Sequence, residues 1–375
     1  MSLKIICKDK KTQARIGSLK TKRGIVETPF FMPVATRGVV KGLTSEELHE
    51  IKIPAVISNA LILYLRSGSE ISKKFGGIGK FMKYNGINFS DSGGFQMYSK
   101  NIYLKSTKEG VYFKNPLSGE KIFMTPEKNI EIQLDIGGDV AMCLDSMPLY
   151  HHTKKEIEES VIKTSLWAKR CKKHHDNLQR NISKEKRQLL FGIIQGGIYK
   201  ELRKKSLKEL LKLKFDGYSI GGFGLGETIN EEFKIINLVK KIIPKNKPVY
   251  LMGIGNPVEI LKAIGLGVDI FDSRMPTQNA RHGTLFTSKG KLRILKKEYK
   301  FDKSPIDKKC SCFVCKNYSK SFIRYQLIHK ELTGKKLATY HNLYFLTKLI
   351  EKAKEKIKQG KFKEFLKEVE KDYKE

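Results

Sequence analysis

Near-continuous apolar runs recur along the chain at 30–35 (FFMPVA), 54–58 (PAVIS), 87–90 (INFS), 139–144 (DVAMCL), 189–195 (LLFGIIQ), 216–221 (DGYSIG), 248–252 (PVYLM) and 267–272 (GVDIFD). Strands covered on both faces read this way, because neither face meets water. Between most of them the apolar positions switch to helical spacing, at 44–51, 125–136, 153–180, 197–214, 229–243 and 256–266. Eight strands in βα alternation predict an α/β fold of the (β/α)8 TIM-barrel type, with a doubly wound open sheet as the alternative.

The alternation is irregular in four places. Residues 4–27 mix short β-like runs with basic turns and predict one or two N-terminal hairpins. After the third strand, VYFK and KIFM flank Asn115–Gly119 and predict an inserted β-hairpin. A second β-like insertion, TLFTSKGKLRIL, follows Asp272, and the chain from Phe322 onward is helical and lysine-rich. The tail 350–375 reads as an amphipathic helix that packs Ile357, Phe362 and Phe365. The expected division is a barrel core over 1–300 with its N-terminal hairpins, a metal-binding subdomain over 301–345 and a C-terminal helix over 346–375.

Charge narrows the function. Lys and Arg outnumber Asp and Glu by 73 to 39, a net charge of +34, and a polyanion is the natural partner of such a surface. No apolar run approaches a membrane span and Met1–Lys11 lacks a signal-peptide core, so the expected compartment is the cytoplasm, with nucleic acid as the polyanion. Three of the six cysteines fall within Cys310-Ser-Cys312-Phe-Val-Cys315, a pattern that suits a metal rather than disulfides. They supply three of the four ligands of a closed structural zinc site, and His329 or His341 would supply the fourth. Cys7, Cys143 and Cys171 read as reduced core residues. His151-His152 and His174-His175 flank a long helical stretch and are expected to face solvent.

In a barrel, reactive groups belong at the carboxyl ends of the strands. Asp91 ends the third run, Asp145 the fourth, Gln195 the fifth, Gly221-Gly222 the sixth, Met252-Gly253 the seventh and Asp272 the eighth. Two carboxylates at one mouth suit glycosyl chemistry: one attacks an anomeric carbon while the other handles the leaving group's proton. A third carboxylate with an amide and a glycine edge suits a guanine-like base, whose amidine edge donates two N–H groups and whose carbonyl accepts. A base, a glycosidic bond and a basic surface point together to nucleic acid as substrate.

Five motifs in order resemble bacterial-type tRNA-guanine transglycosylase, the queuine tRNA-ribosyltransferase family. They are Ser90-Asp-Ser-Gly-Gly-Phe-Gln96, Phe191-Gly-Ile-Ile-Gln-Gly-Gly197, Ile220-Gly-Gly222 with Gly226-Glu227, Tyr250-Leu-Met-Gly-Ile-Gly255, and Phe271-Asp272 through Met275-Pro-Thr277 to Asn279-Ala-Arg281. The resemblance spans about residues 5 to 360. It implies an irregular (β/α)8 barrel with an inserted zinc-binding subdomain, working as a homodimer, that replaces guanine at the wobble position of GUN-anticodon tRNA by a 7-deazaguanine. It makes Asp272 the nucleophile at ribose C1′ and Asp91 the acid/base. It further implies that Asp145, Gln195 and Gly222 hold the base edge, Phe95 and Met252 its faces, and Arg281 the anticodon backbone. It also makes His341 the fourth ligand of a structural Zn2+ beside Cys310, Cys312 and Cys315.

The chain departs from that pattern around the base. Asp145 is followed by Ser146-Met147-Pro148 instead of Glu-Cys-Thr-Pro, Phe223-Gly224-Leu225 replaces Leu-Ala-Val, and Gln278 stands where an arginine is frequent. The departures leave two incoming bases in view, 7-aminomethyl-7-deazaguanine (preQ1) and the bulkier queuine. A barrel glycoside hydrolase is the rival reading, but it needs neither the charge nor the cysteine cluster and commonly uses more tryptophan than this chain's Trp167. A non-catalytic RNA-binding subunit would have no use for both Asp91 and Asp272.

Overall fold

A computed structural model of the chain describes residues 3–147, 152–224 and 226–373. All eight apolar runs form parallel strands: β1 Phe30–Pro33, β2 Ala55–Asn59, β3 Ile87–Asp91, β4 Val140–Met142, β5 Leu189–Ile194, β6 Gly217–Ile220, β7 Val249–Leu251 and β8 Ile270–Ser273. From β2 to β8 each strand pairs with the next in chain order, and β8 pairs with β1. Closure from β1 to β2 rests on one parallel bridge, Val34 to Ile57, with the Ala35 N–H donating to the Ile57 carbonyl at 2.7 Å. The sheet is therefore a nearly closed barrel, and the open-sheet alternative falls.

The barrel interior is filled by alternate residues of the strands. Phe89 sits at its centre, edge-on to Phe30, Phe191 and Tyr250 with ring centroids 5.9–6.3 Å apart. Leu3, Leu19 and Val26 join this cluster from below, on a three-stranded antiparallel sheet formed by Leu3–Lys8, Arg15–Thr21 and Gly24–Thr28. Outside the strands runs a helical layer, and the loops that lead into it specify where helices begin. Thr44, Thr153 and Thr228 each close a capping box with the glutamate three residues on, satisfying amide groups that the first turn leaves open.

The structure differs from the sequence reading in four places. Between β2 and β3 lie three short helices, Ala60–Tyr64, Gly68–Lys74 and Ile78–Met82, each too brief to show a period and interrupted by Ser67 and Gly77 at positive φ. The insertion after β3 is a three-stranded sheet, because Tyr103–Ser106 adds to Val111–Lys114 and Lys121–Met124; its half-exposed sequence carries no alternation. The tail is two helices, Leu332–Lys358 and Phe362–Asp372, broken at Gly360, whose φ of +67° ends the first. His175 is buried instead of solvent-facing: its ring meets the Gln179 amide, and burial pulls its pKa down to about 4. His151, Pro148 and Leu225 lie outside the described residues.

The N-terminal sheet is fastened to the barrel floor by a buried ion pair. Arg15 donates to both oxygens of Asp269, at 2.9 and 2.5 Å, and to the carbonyls of Lys245 and Lys247. Asp269 also accepts the Val249 N–H at 2.8 Å. Removing one member of such a pair strands the other charge in a dry setting. Asp269→Ala is expected to lower stability by about 3–5 kcal/mol, read as a shift of the urea midpoint; a shift under about 1 kcal/mol would contradict the anchoring role.

Candidate active site

The strand ends gather their functional groups at one mouth. β3 delivers Asp91, then Ser92 and Gly93, which turns the chain at φ +82° into the short helix Gly94–Met97. Asp91 Oδ2 accepts from the Asn59 amide at 3.1 Å and from the Gly93 N–H at 3.3 Å. Asn59 ends β2, caps the following helix through the Ile62 N–H, and also donates to Gln96. One side chain thus orients the carboxylate from the neighbouring strand.

Asp272 lies in β8. Its Oδ1 accepts from the Tyr250 hydroxyl at 2.6 Å and from the Gly253 N–H at 3.0 Å, so β7 and its loop hold it from one side. Asp145, three residues past β4, is buried and accepts from Gln195 Nε2 at 2.6 Å. A Cβ on Gly94 would stand 2.5 Å from Asp145 Oδ1, which explains the glycine there. Gly222, at φ +73°, lies against Gln195, whose amide spans the gap from β5 to β6.

The three carboxylates sense one another. Burial first, then the charges of Asp145 and Asp272, push Asp91 up to about 7. Burial raises Asp145 to about 6 against the opposing hydrogen bond from Gln195. Asp272 is raised by burial too, but Tyr250 and Gly253 favour its ionised form. One mouth therefore holds a carboxyl group that titrates near neutrality beside another aimed by two donors, which is the division of labour that acid/base and nucleophilic steps require.

Of the remaining residues singled out in the sequence, Phe95 is 51% exposed on the helix after Asp91, and Met252 is half-buried just past β7. Arg281 ends the Met275–Arg281 helix after β8, and its buried Nη1 has no hydrogen-bond partner among the described residues. Sequence reading missed Asn59, Tyr250 and Arg203. Asn59 reads as an ordinary helix cap and Tyr250 as one more apolar strand residue. The signal for Arg203 is a cation in register with Leu202, Ser206, Leu207 and Leu210 on the buried face of its helix.

The cysteines assemble a second centre. The sulfurs of Cys310, Cys312 and Cys315 stand 3.8, 3.5 and 3.4 Å from His341 Nδ1, and all four ligand atoms lie within 4.8 Å of one another. A tetrahedral ion with bonds of about 2.3 Å to sulfur and 2.0–2.1 Å to nitrogen spaces its ligands by about this much. His341 Nε2 meets the Phe286 carbonyl at 2.7 Å, which places the ring proton there and leaves Nδ1 bare for a metal. The group can hold one metal ion. His329 caps the Lys320–Ile328 helix, packs on Tyr325 and stands outside the group.

A parallel barrel with three carboxylates and an amide at its carboxyl mouth is the framework of a barrel enzyme. The sequence pattern described as Queuine tRNA-ribosyltransferase matches residues 9–375, and the chain belongs to that family. Proteins named queuine tRNA-ribosyltransferase from Thermoanaerobacter sp. (strain X514) and Thermodesulfovibrio yellowstonii are 45% and 44% identical to it. These alignments cover 99% and 98% of this chain and 97% and 94% of theirs. A relative of the same name from Lysinibacillus sphaericus is 43% identical over 97% of this chain and 94% of its own. The family is the one that the five motifs resemble.

The raised carboxyl groups make stability depend on pH. Above the ordinary carboxylate range of about 4, the unfolded chain has released protons that folded Asp91 and Asp145 still hold up to about 7 and 6. Stability is therefore lost as pH rises through that window. Asp91→Asn removes its share of the cost, so its gain in Tm over the parent protein is expected to be larger at about pH 8 than at about pH 5. Equal gains at the two pH values would refute the assignment.

Proposed function

We propose that the chain is a tRNA-guanine transglycosylase that exchanges guanine at the wobble position of GUN-anticodon tRNAs for preQ1. The observation that carries this is the contrast between Asp272, aimed by Tyr250 and Gly253, and Asp91, held near neutrality in the same mouth. Asp272 attacks ribose C1′ as the bond to guanine breaks, leaving the ribose joined to the enzyme through an ester. Asp91 gives its proton to the departing guanine. The incoming base then loses a proton to Asp91 and attacks C1′, which frees Asp272 and restores both groups.

In this reading Asp145 accepts the two N–H groups of the base's amidine edge, and Gln195 with the Gly222 N–H meets its carbonyl. Phe95 and Met252 cover the faces. Arg281 meets anticodon phosphate, a role supported by its buried, unpartnered Nη1. Met147, buried against Gln195, and Phe223, buried against Arg203, take up space around the base edge and favour the smaller preQ1 over queuine. The metal is Zn2+, held by Cys310, Cys312, Cys315 and His341; four protein ligands close its coordination, so it supports structure. The proposed division is the barrel core 1–300, the zinc subdomain 301–345 and the C-terminal segment 346–375, with the helix Leu332–Lys358 running across the last boundary. Exposed Phe301, Phe322 and Tyr325, on a helix and the loop hydrogen-bonded to it, support a homodimer. No helix among the described residues is long and apolar enough to cross a membrane, and a tRNA substrate puts the enzyme in the cytoplasm.

Two experiments test this reading. A GUN-anticodon tRNA carrying labelled guanine is expected to lose label when chased with preQ1, and Asp272→Asn to lower exchange by about 10³-fold or more while abolishing the covalent adduct. Label released by queuine alone would reverse the choice of base, and an adduct formed by Asp272→Asn would overturn the nucleophile. Chelating the zinc is expected to expose the segment 301–345 to protease; lost exchange with the fold intact would contradict a structural metal.

A further inference from the structure

We infer that Arg203 is a positioning residue that orients the Gln195 side-chain amide and so gives the base pocket its hydrogen-bond polarity, a role that rests on the base-exchange reading above. Arg203 projects from the Lys200–Lys212 helix and is fully buried. Its Nε donates to the Gly197 carbonyl at 2.8 Å, and its Nη1 to the carbonyls of Ile194 and Gly221 at 2.6 and 2.8 Å. One guanidinium thereby ties the end of β5 to the end of β6, the two strand ends that carry Gln195 and Gly222. The Phe223 ring lies 4.4 Å from its carbon, which gives that departure from the family pattern a physical purpose.

Among the described residues, Arg203 Nη2 and Gln195 Oε1 are two buried polar atoms of this junction without a hydrogen-bond partner. Both face Gly222, where a Cβ would sit 3.8 Å from the first and 2.6 Å from the second. At its other end Gln195 Nε2 donates to Asp145. A guanidinium only donates and a carboxylate only accepts, so an amide between them has one favourable orientation, oxygen toward the arginine and nitrogen toward the aspartate. Flipping it would set donor against donor and acceptor against acceptor. The locked amide offers N–H to the pocket, which selects a base carrying a carbonyl beside its amidine edge.

The test is a double-mutant cycle of Arg203→Lys with Gln195→Ala, in enzymes whose Tm and circular dichroism show a native fold. Lysine cannot reach three carbonyls and Nη2's position together. Arg203→Lys is expected to raise KM for guanine about fivefold or more in the parent background, leaving KM for tRNA within about twofold, and to change guanine KM by less than about twofold in Gln195→Ala. Equal effects in the two backgrounds, or an unchanged guanine KM in Arg203→Lys, would overturn the inference. Should Arg203→Lys not fold, the same cycle with Arg203→Gln decides on the same criteria. An unsubstituted enzyme that exchanges no guanine would overturn the base-exchange reading itself and this inference with it.

Discussion

Everything at the site depends on the closure of a parallel sheet. Parallel strands present all their carboxyl ends on one rim, and closing the sheet bends that rim into a ring. Asp91, Asp145, Gln195, Gly222 and Asp272 are up to 181 positions apart in sequence, yet each lies at or just past the carboxyl end of its own strand. The weakest seam is between β1 and β2, where Pro33 ends the ladder and a single bridge completes the ring. Packing compensates from inside, through the Phe89 cluster, and from below, through the N-terminal sheet held by Arg15 and Asp269.

A closed ring of carboxylates is costly, and the surroundings show how the cost is distributed. The acids are withdrawn from water, Asp145 fully and Asp91 and Asp272 in part, so each needs donors or must keep its proton. Asp145 has Gln195, Asp272 has Tyr250 and Gly253, and Asp91 has the weaker contacts with Asn59 and Gly93. The acid with the longest hydrogen bonds is the one pushed nearest neutrality. Behind the ring Arg203 supplies positive charge to backbone carbonyls, pulled down to about 9 by burial and so still a cation at neutral pH.

The cysteine–histidine group is wired to the same rim through one helix. Leu332–Lys358 carries His341 into the cysteine group, and the next residue, Asn342, donates to the carbonyls of Pro276 and Thr284 and accepts from the Phe286 N–H. Pro276 belongs to the helix that follows β8 and ends in Arg281. Ordering the cluster therefore also orders the segment after Asp272.

Much of this was legible in the sequence. Eight buried runs spaced by helical periods specify parallel strands alternating with helices because apolar continuity and period are local properties, and the glycines and carboxylates at the run ends mark the rim; closure into a barrel, against an open sheet, was decided by the β1–β2 pairing. The cysteine spacing likewise marked a group able to hold a metal, for which the resemblance named His341, and the packing of Leu332–Lys358 places His341 and not His329 beside the sulfurs. What the sequence could not show is which neighbour each group meets. Asn59, Tyr250 and Arg203 look like a cap, a strand filler and a helix cation, and their partners lie 32, 22 and up to 18 positions away. The pKa values of Asp91 and Asp145 are likewise products of the fold, since burial, and for Asp91 the repulsion of Asp145 and Asp272, exist only once the barrel has closed around them.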